Sequence, residues 1–139
     1  MLNKTYWLAP IFTAFIAYMS LADNKVPTIA FQHIDKVYHV TAYFIMSVLW
    51  YIFFYGRFLK RHPNYRFNLV TILAGWQKTV ALGAAAISFV TGALLELGQG
   101  FFSVNRNMDT FDMLANIFGI IVANLFLWIL SEKIKTDIP

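Results

Sequence analysis

Three groups of ionisable and amide side chains stand at the ends of long apolar stretches of this chain. Their members are Asp35, Lys36 and His39; Glu96 and Gln99; and Arg106, Asp109, Asp112 and Asn116. Carboxylates, an imidazole and a guanidinium are groups that can transfer a proton or bind an anion. Because polar side chains are costly in lipid unless they face protein or water, we expect the three groups to meet in one site.

The first group combines a carboxylate with an imidazole. Asp35 and His39 are four residues apart and share one helical face, which Tyr43 continues. A carboxylate that hydrogen-bonds an imidazole fixes its tautomer and raises its basicity, which suits a general base. Asp35 is equally suited to cap the start of the helix, so a purely structural role stays open for it. His39 lies inside an apolar stretch, where ionisable residues are mostly functional.

The second group lies at the end of a stripe of small residues. Ala84, Ser88 and Gly92 precede Glu96 at intervals of four, and small residues at this spacing allow another helix to approach closely. We therefore expect Glu96 to point into the protein, with Gln99 on the same face. Glu96 is either an acid at the site or a structural ion-pair partner, since structural networks also contain such carboxylates.

The third group follows one face of the last apolar stretch. Asp109, Asp112 and Asn116 are spaced i, i+3 and i+7, and either aspartate can cap the helix. Asn116 is expected to hydrogen-bond to a neighbouring helix, because an unpaired amide is costly in hydrocarbon. Arg106 either binds a substrate phosphate or is held only by Asp109 or Asp112.

Other chemistries have weaker support. The spacing of these residues matches no metal-binding motif, so the sequence predicts no metal and no cofactor, although His39 with the carboxylates would suit a divalent ion. Ser103 is not surrounded by the glycine pattern of a hydrolase nucleophile. Cysteine is absent, which excludes a thiolate nucleophile.

Composition indicates which elements position these residues. The 139-residue chain is 59% hydrophobic and 13% charged, whereas soluble domains are roughly 45–50% apolar and 25% charged. We predict one all-α, polytopic membrane domain over residues 1–139, with four transmembrane helices in a compact bundle. Their predicted bounds are about 5–22, 37–56, 79–102 and 113–131. The apolar segment 67–76 is too short to span, and is expected to lie at the interface or to begin the third helix early.

Lysine and arginine residues predict the orientation. Eight lie in the N-terminal tail, the second loop and the C-terminal tail, against three in the first and third loops. The positive-inside rule then places both termini in the cytoplasm and the three polar groups at the outer face. The net charge of +4 therefore reflects topology and anionic lipid rather than nucleic acid.

The first apolar stretch has an alternative interpretation as a secretory signal. It follows Lys4 and ends in Ser20, Leu21 and Ala22, which resembles a small-residue cleavage site. Its apolar run is longer than that of most signals, and Trp7 and Tyr18 resemble interfacial anchors. An uncleaved helix is therefore the favoured interpretation.

Two motifs resemble the VanZ-like family of small bacterial membrane proteins. They are Asp35-Lys36-x-x-His39-x-x-x-Tyr43, and Glu96-x-x-Gln99 followed by Arg106-x-x-Asp109-x-x-Asp112-x-x-x-Asn116-x-x-Gly119. The spacing from Gln99 to Arg106 is one residue longer than usual, and Val104 and Asn105 stand where a proline often precedes the arginine. The resemblance implies a multi-pass protein of the bacterial cytoplasmic membrane, associated with low-level resistance to the glycopeptide teicoplanin. It implies no particular reaction.

Three hypotheses follow for the function. In the first, an outward-facing polar pocket binds an anionic lipid-linked envelope precursor or a glycopeptide, with Arg106 and Lys36 on the anion. The other residues of that pocket are Tyr43, Gln99, Asp109, Asp112 and Asn116. In the second, His39 oriented by Asp35 acts as general base and Glu96 as acid, in transfer or hydrolysis of an envelope lipid. In the third, the polar network only fixes helix packing. Membrane lipids are expected partners, nucleic acid is not, and the oligomeric state is not indicated.

Overall fold

The structure is a computed structural model that describes residues 4–22, 34–61, 68–102 and 109–137. These ranges are mostly helical. Their order is a 3-10 helix (Lys4–Trp7), α1 (Leu8–Leu21), α2 (Ile34–Leu59), α3 (Leu69–Ala74), α4 (Lys78–Phe102) and α5 (Thr110–Asp137). The predicted all-α class is confirmed.

Helices α2, α4 and α5 are long and apolar enough to cross a membrane. The predicted long apolar helices are confirmed for these three, by length and composition. All are longer than their predicted spans, because ionisable residues at their ends continue the helix beyond the apolar core. The fourth predicted span corresponds to the shorter apolar helix Thr5–Leu21, where the backbone turns extended at Ala22, with φ −71° and ψ 128°.

Helix α2 lies at the centre and contacts α1, α3, α4 and α5. Near its start, Lys36 pairs with Asp112 at the start of α5, and His39 faces Glu96 near the end of α4. Helix α5 therefore runs parallel to α2, and α4 runs antiparallel. This arrangement brings polar residues from three distant parts of the sequence to one end of the bundle.

Two glycines allow the close approach of α4 and α5 to α2. A Cβ atom at Gly119 would overlap the backbone carbonyl of Val40, and one at Gly92 would lie 2.9 Å from Cε1 of Tyr43. Ser88, in the same stripe as Gly92, is fully buried. The prediction that this stripe faces a neighbouring helix is confirmed, and close packing of this kind is typical of membrane helices.

Helix α1 is attached to α2 by a hydroxyl and an indole. Thr13 Oγ1 donates to the carbonyl of Ala9 at 2.9 Å and accepts from Trp50 Nε1 at 3.0 Å. Pro10 lies in the first turn of α1, where its missing N–H leaves no helical hydrogen bond unmade. The hydrogen bond between Trp50 and Thr13 therefore joins α2 to the middle of α1.

The segment that was expected at the interface or at the start of the third long helix forms the separate helix α3. Asn68 caps it by accepting from the N–H of Val70 at 2.9 Å, and Ile72 is fully buried. Because α3 ends at Ala74 and α4 begins at Lys78, the segment does not extend the long helix. It packs against α2 and α5 at the end of the bundle opposite the polar groups.

Candidate functional site

The ammonium of Lys36 is the hub of an ion-pair network between α2 and α5. Its Nζ lies 3.0 Å from Asp35 Oδ2 and 2.5 Å from Asp109 Oδ2, and it also pairs with Asp112 Oδ1. The hydrogen bond from Lys36, together with the N–H of Phe111, holds the pKa of Asp109 below its usual value. Three carboxylates thus share one cation at this end of the bundle.

His39 lies between α4 and α5. Its Nδ1 is 2.9 Å from Asn116 Oδ1 and 3.9 Å from Glu96 Oε1, and its Nε2 is 3.6 Å from Asp112 Oδ2. An amide oxygen only accepts, so with this amide orientation Nδ1 carries the proton and donates. In the neutral imidazole, Nε2 then carries the lone pair, and it lies toward Oδ2 of Asp112.

Asn116, rather than Asp35, orients the imidazole. The Asp35 carboxylate contacts Lys36, and its side chain is 57% exposed. The helical spacing of Asp35 and His39 was expected to pair them, but Lys36 at the next position draws the carboxylate away. The predicted cross-helix hydrogen bond of Asn116 is confirmed, with His39 as its partner.

Glu96 and Asn116 both carry a buried polar atom without a partner. Each residue is 3% exposed. Glu96 Oε2 and Asn116 Nδ2 have no hydrogen-bond partner within the described ranges, although the backbone N–H of Asp109 is within hydrogen-bonding reach of the Glu96 carboxylate. Buried polar atoms are nearly always paired, so both need an explanation.

Gln99 connects α4 to α1 instead of joining the carboxylates. Its Nε2 donates to the backbone oxygen of Ser20 at 3.0 Å and to Ser20 Oγ at 2.7 Å. Ser20 was not among the predicted site residues, and one serine at the end of an apolar stretch carries no pattern that would have identified it. Tyr43 is buried against Gly92.

A groove of about 470 Å³ lies between α1, α2 and the end of α4. One end of it is polar and is lined by Ser20, Asp35, His39 and Gln99. Most of its remaining lining is apolar, including Phe15, Ile16, Met19, Ala42 and Ile45. Tyr43 also lines it. His39 faces both this groove and the carboxylates, so it links the two halves of the candidate site.

Arg106 lies outside the described residues, as does Ser103. Both aspartates proposed as partners for Arg106 are already bound by Lys36. The structure therefore brings together all the other predicted site residues, with Gln99 and Tyr43 at the groove side and the ionisable residues at the α5 side.

No family model, no curated protein and no solved structure matches the chain. The function must therefore be argued from the geometry of the site.

Proposed function

We propose that the chain is an integral protein of the bacterial cytoplasmic membrane that binds a lipid-linked envelope molecule or a glycopeptide. The groove is the observation that carries this proposal. Its volume of about 470 Å³ falls within the range of roughly 300–1,000 Å³ usual for small-molecule sites. With an apolar body and one polar end, it suits an amphiphile whose chain lies along α1 and α2 and whose headgroup lies beside His39.

The proposal includes four membrane spans with the polar cluster at the outer face. At about 2.0 Å per residue in the 3-10 helix and 1.5 Å in α1, the first segment reaches about 29 Å, close to the ~30 Å hydrocarbon thickness. The positive-inside rule supports cytoplasmic termini. A cysteine introduced by Asn107→Cys should therefore react with an impermeant thiol reagent added to intact cells, and protection from outside would invert the orientation.

Charge in the described cluster indicates the type of headgroup. Asp35, Asp109 and Asp112 supply three carboxylates around the ammonium of Lys36, and Glu96 adds a fourth carboxylate beside His39. Carboxylates accept hydrogen bonds, so a headgroup rich in hydroxyl or amino donors, such as a sugar, fits this surface. A phosphate on the same molecule would depend on Arg106. A glycan-bearing envelope lipid or a glycopeptide supplies such hydroxyl or amino donors.

The test is to block the groove. Ala42 lines the groove and Ala86 is exposed on the outside of α4, so Ala42→Leu and Ala86→Leu add the same volume inside and outside it. We expect a fluorescent glycolipid with one long acyl chain to bind Ala42→Leu about tenfold more weakly, a loss of about 1.4 kcal/mol, with no change in Ala86→Leu. Equal affinity in both variants would reject lipid binding in the groove.

The orientation of His39 supports catalysis as the second candidate function. With Nδ1–H bound to Asn116, Nε2 is available to take a proton from a substrate within about 3 Å. If the chain is an enzyme, His39→Gln should abolish turnover of the bound envelope lipid while glycolipid affinity is kept. Full glycopeptide resistance in cells carrying His39→Gln would rule out this role. Loss of folded protein in both His39→Gln and Glu96→Gln would favour the purely structural hypothesis.

A further inference from the structure

We propose that His39, Glu96 and Asp112 bind a divalent transition-metal ion of the Zn²⁺ type. The three residues come from α2, α4 and α5, and each offers one ligand atom within 4.8 Å of the other two. One imidazole and two carboxylates form a donor set that Zn²⁺ accepts. No motif in the sequence predicts this site, because its ligands come from three different helices.

His39 Nε2 and Asp112 Oδ2 are placed as two ligand atoms of one cation would be. With Nδ1 donating to Asn116, the neutral imidazole directs the lone pair of Nε2 at Asp112 Oδ2, 3.6 Å away. Two electron-pair donors at this distance repel each other unless a cation lies between them. Imidazole ligands of metals commonly donate their second N–H to a neighbouring oxygen, and Asn116 Oδ1 fills that position here.

Lys36 and Asp112 are arranged so that one carboxylate oxygen stays available. Lys36 pairs with Oδ1 of Asp112, which leaves Oδ2 directed at the imidazole. A ligating carboxylate is commonly held by a hydrogen bond in this way. The ion would also offset negative charge, because Asp35, Asp109 and Asp112 share the ammonium of Lys36 and Glu96 adds a further carboxylate beside His39.

Glu96 provides the independent observation that points to a ligand. Its carboxylate is 3% exposed, faces His39, and has one oxygen with no hydrogen-bond partner among the residues that the structure describes. A buried carboxylate oxygen without a partner is costly, and coordination to an ion would supply that partner. Asn116 Nδ2, which also has no partner within the described ranges, would be a donor for a water or headgroup oxygen beside the ion.

Direct titration of the full chain tests the proposal. Protein purified in detergent and stripped with a chelator is titrated with Zn²⁺ by calorimetry, and metal content is measured by mass spectrometry. We expect one ion per chain. Glu96→Gln preserves side-chain shape but removes the charged ligand, and should weaken Zn²⁺ binding by at least about tenfold, as even outer-shell losses cost about 10–100-fold.

Glu132→Gln is the matched control. It removes one carboxylate from an exposed ion pair with Lys135, far from the site, so Zn²⁺ affinity should stay within about twofold, well under the about 10–100-fold cost of losing an outer-shell partner. If Glu96→Gln does not elute as a folded monodisperse protein, Asn116→Ala replaces it. That variant removes the partner that positions the imidazole, and it should also weaken binding.

Two results would overturn the proposal: wild-type protein that binds neither Zn²⁺ nor Mn²⁺, or equal losses of Zn²⁺ affinity in Glu132→Gln and the ligand variants. Because Ala42→Leu blocks only the groove, its Zn²⁺ affinity should be unchanged. Different variants therefore test metal binding and glycolipid binding, so either proposal can be rejected without rejecting the other.

Discussion

The two ends of the bundle are held together by different chemistry, although α2 runs through both. At the polar end, Lys36 and His39 reach side chains of α4 and α5 through ion pairs and a hydrogen bond. At the opposite end, which we call the aromatic end, the buried residues are mostly large rings and aliphatic side chains. Its core contains Tyr51, Tyr55, Ile72, Ala81, Ala84 and Leu127.

Buried polar atoms separate the two ends further. At the aromatic end, Tyr51 accepts from the N–H of Gln77 at 3.1 Å and donates to the carbonyl of Gly75 at 3.4 Å. Among the described residues, Trp76 Nε1 has no hydrogen-bond partner there, but it is a neutral donor. At the polar end, one carboxylate oxygen of Glu96 has no partner within the same ranges, and a buried charge costs far more than a buried neutral group. The larger cost of unpaired polar atoms therefore falls at the polar end.

The largest expected effect comes from separating α5 from α2 at the polar end. Gly119→Ala places a Cβ against the carbonyl of Val40, which belongs to the backbone and cannot rotate away. We expect a loss of about 2 kcal/mol in the free energy of unfolding, within the usual cost of overpacking. Unfolding in detergent followed by circular dichroism measures it, and Zn²⁺ affinity should fall with it because Asn116 lies one turn away.

Gly83→Ala is the control for that substitution. A Cβ at Gly83 would have Phe54 as its nearest neighbour, at 4.0 Å, so it meets no obstacle. Replacing glycine by alanine inside a helix should then stabilise the protein by about 0.5–1 kcal/mol. Effects of the same sign in both variants would show that close contact between α2 and α5 is not what Gly119 provides.

A smaller effect is expected at the aromatic end. Tyr51→Phe removes the hydroxyl that joins α2 to the turn between α3 and α4, and should cost about 1 kcal/mol of stability. Zn²⁺ and glycolipid affinities should not change, because the site lies at the other end of α2. Tyr18→Phe removes a mostly exposed hydroxyl and serves as the control, with no measurable effect. A change in Zn²⁺ affinity in Tyr51→Phe would mean that the two ends are coupled.

The meeting of the three polar groups could be predicted from the sequence, and their pairing could not. Polar residues at the ends of apolar stretches must face protein or water, and the order of the stretches places those ends together. Helical spacing shows that Asp35 and His39 share a face, but not which neighbour from another helix lies closer. In the structure, Asp35 contacts Lys36 and His39 contacts Asn116, rather than each other.

The groove was missed because its polar end depends on Ser20, where a backbone oxygen and a hydroxyl meet Gln99. Neither group has a sequence pattern. Helix α3 shows the same difficulty, since an apolar segment too short to span can extend a helix or fold by itself. The cap provided by Asn68 and the burial of Ile72 determine the second outcome.

The smallest expected effect is the pH dependence of the Lys36–Asp109 pair. Because Lys36 lowers the pKa of Asp109 below 3.8, the pair contributes stability above that pH and loses it as the pH falls through the lowered value. The difference in melting temperature between wild type and Asp109→Asn should stay constant from about pH 8 to pH 5, and should narrow as the pH falls below about 4. The effect is small because the Asp109 side chain is 40% exposed and its pair is screened by salt.

Glu132→Gln distinguishes this effect from a general loss of negative charge. Glu132 pairs with Lys135 at 2.9 Å on an exposed turn of α5, far from the site, and such pairs contribute little. Its melting temperature should follow the wild type at every pH. A difference for Asp109→Asn that showed no decrease between about pH 5 and pH 2.5 could not come from the carboxylate, because its protonation in the unfolded chain already reduces the contribution of the pair over that range. Asp109 would then contribute to stability through its shape rather than its charge. The chemical difference between the polar end and the aromatic end would in that case rest on Glu96, His39 and Asp112.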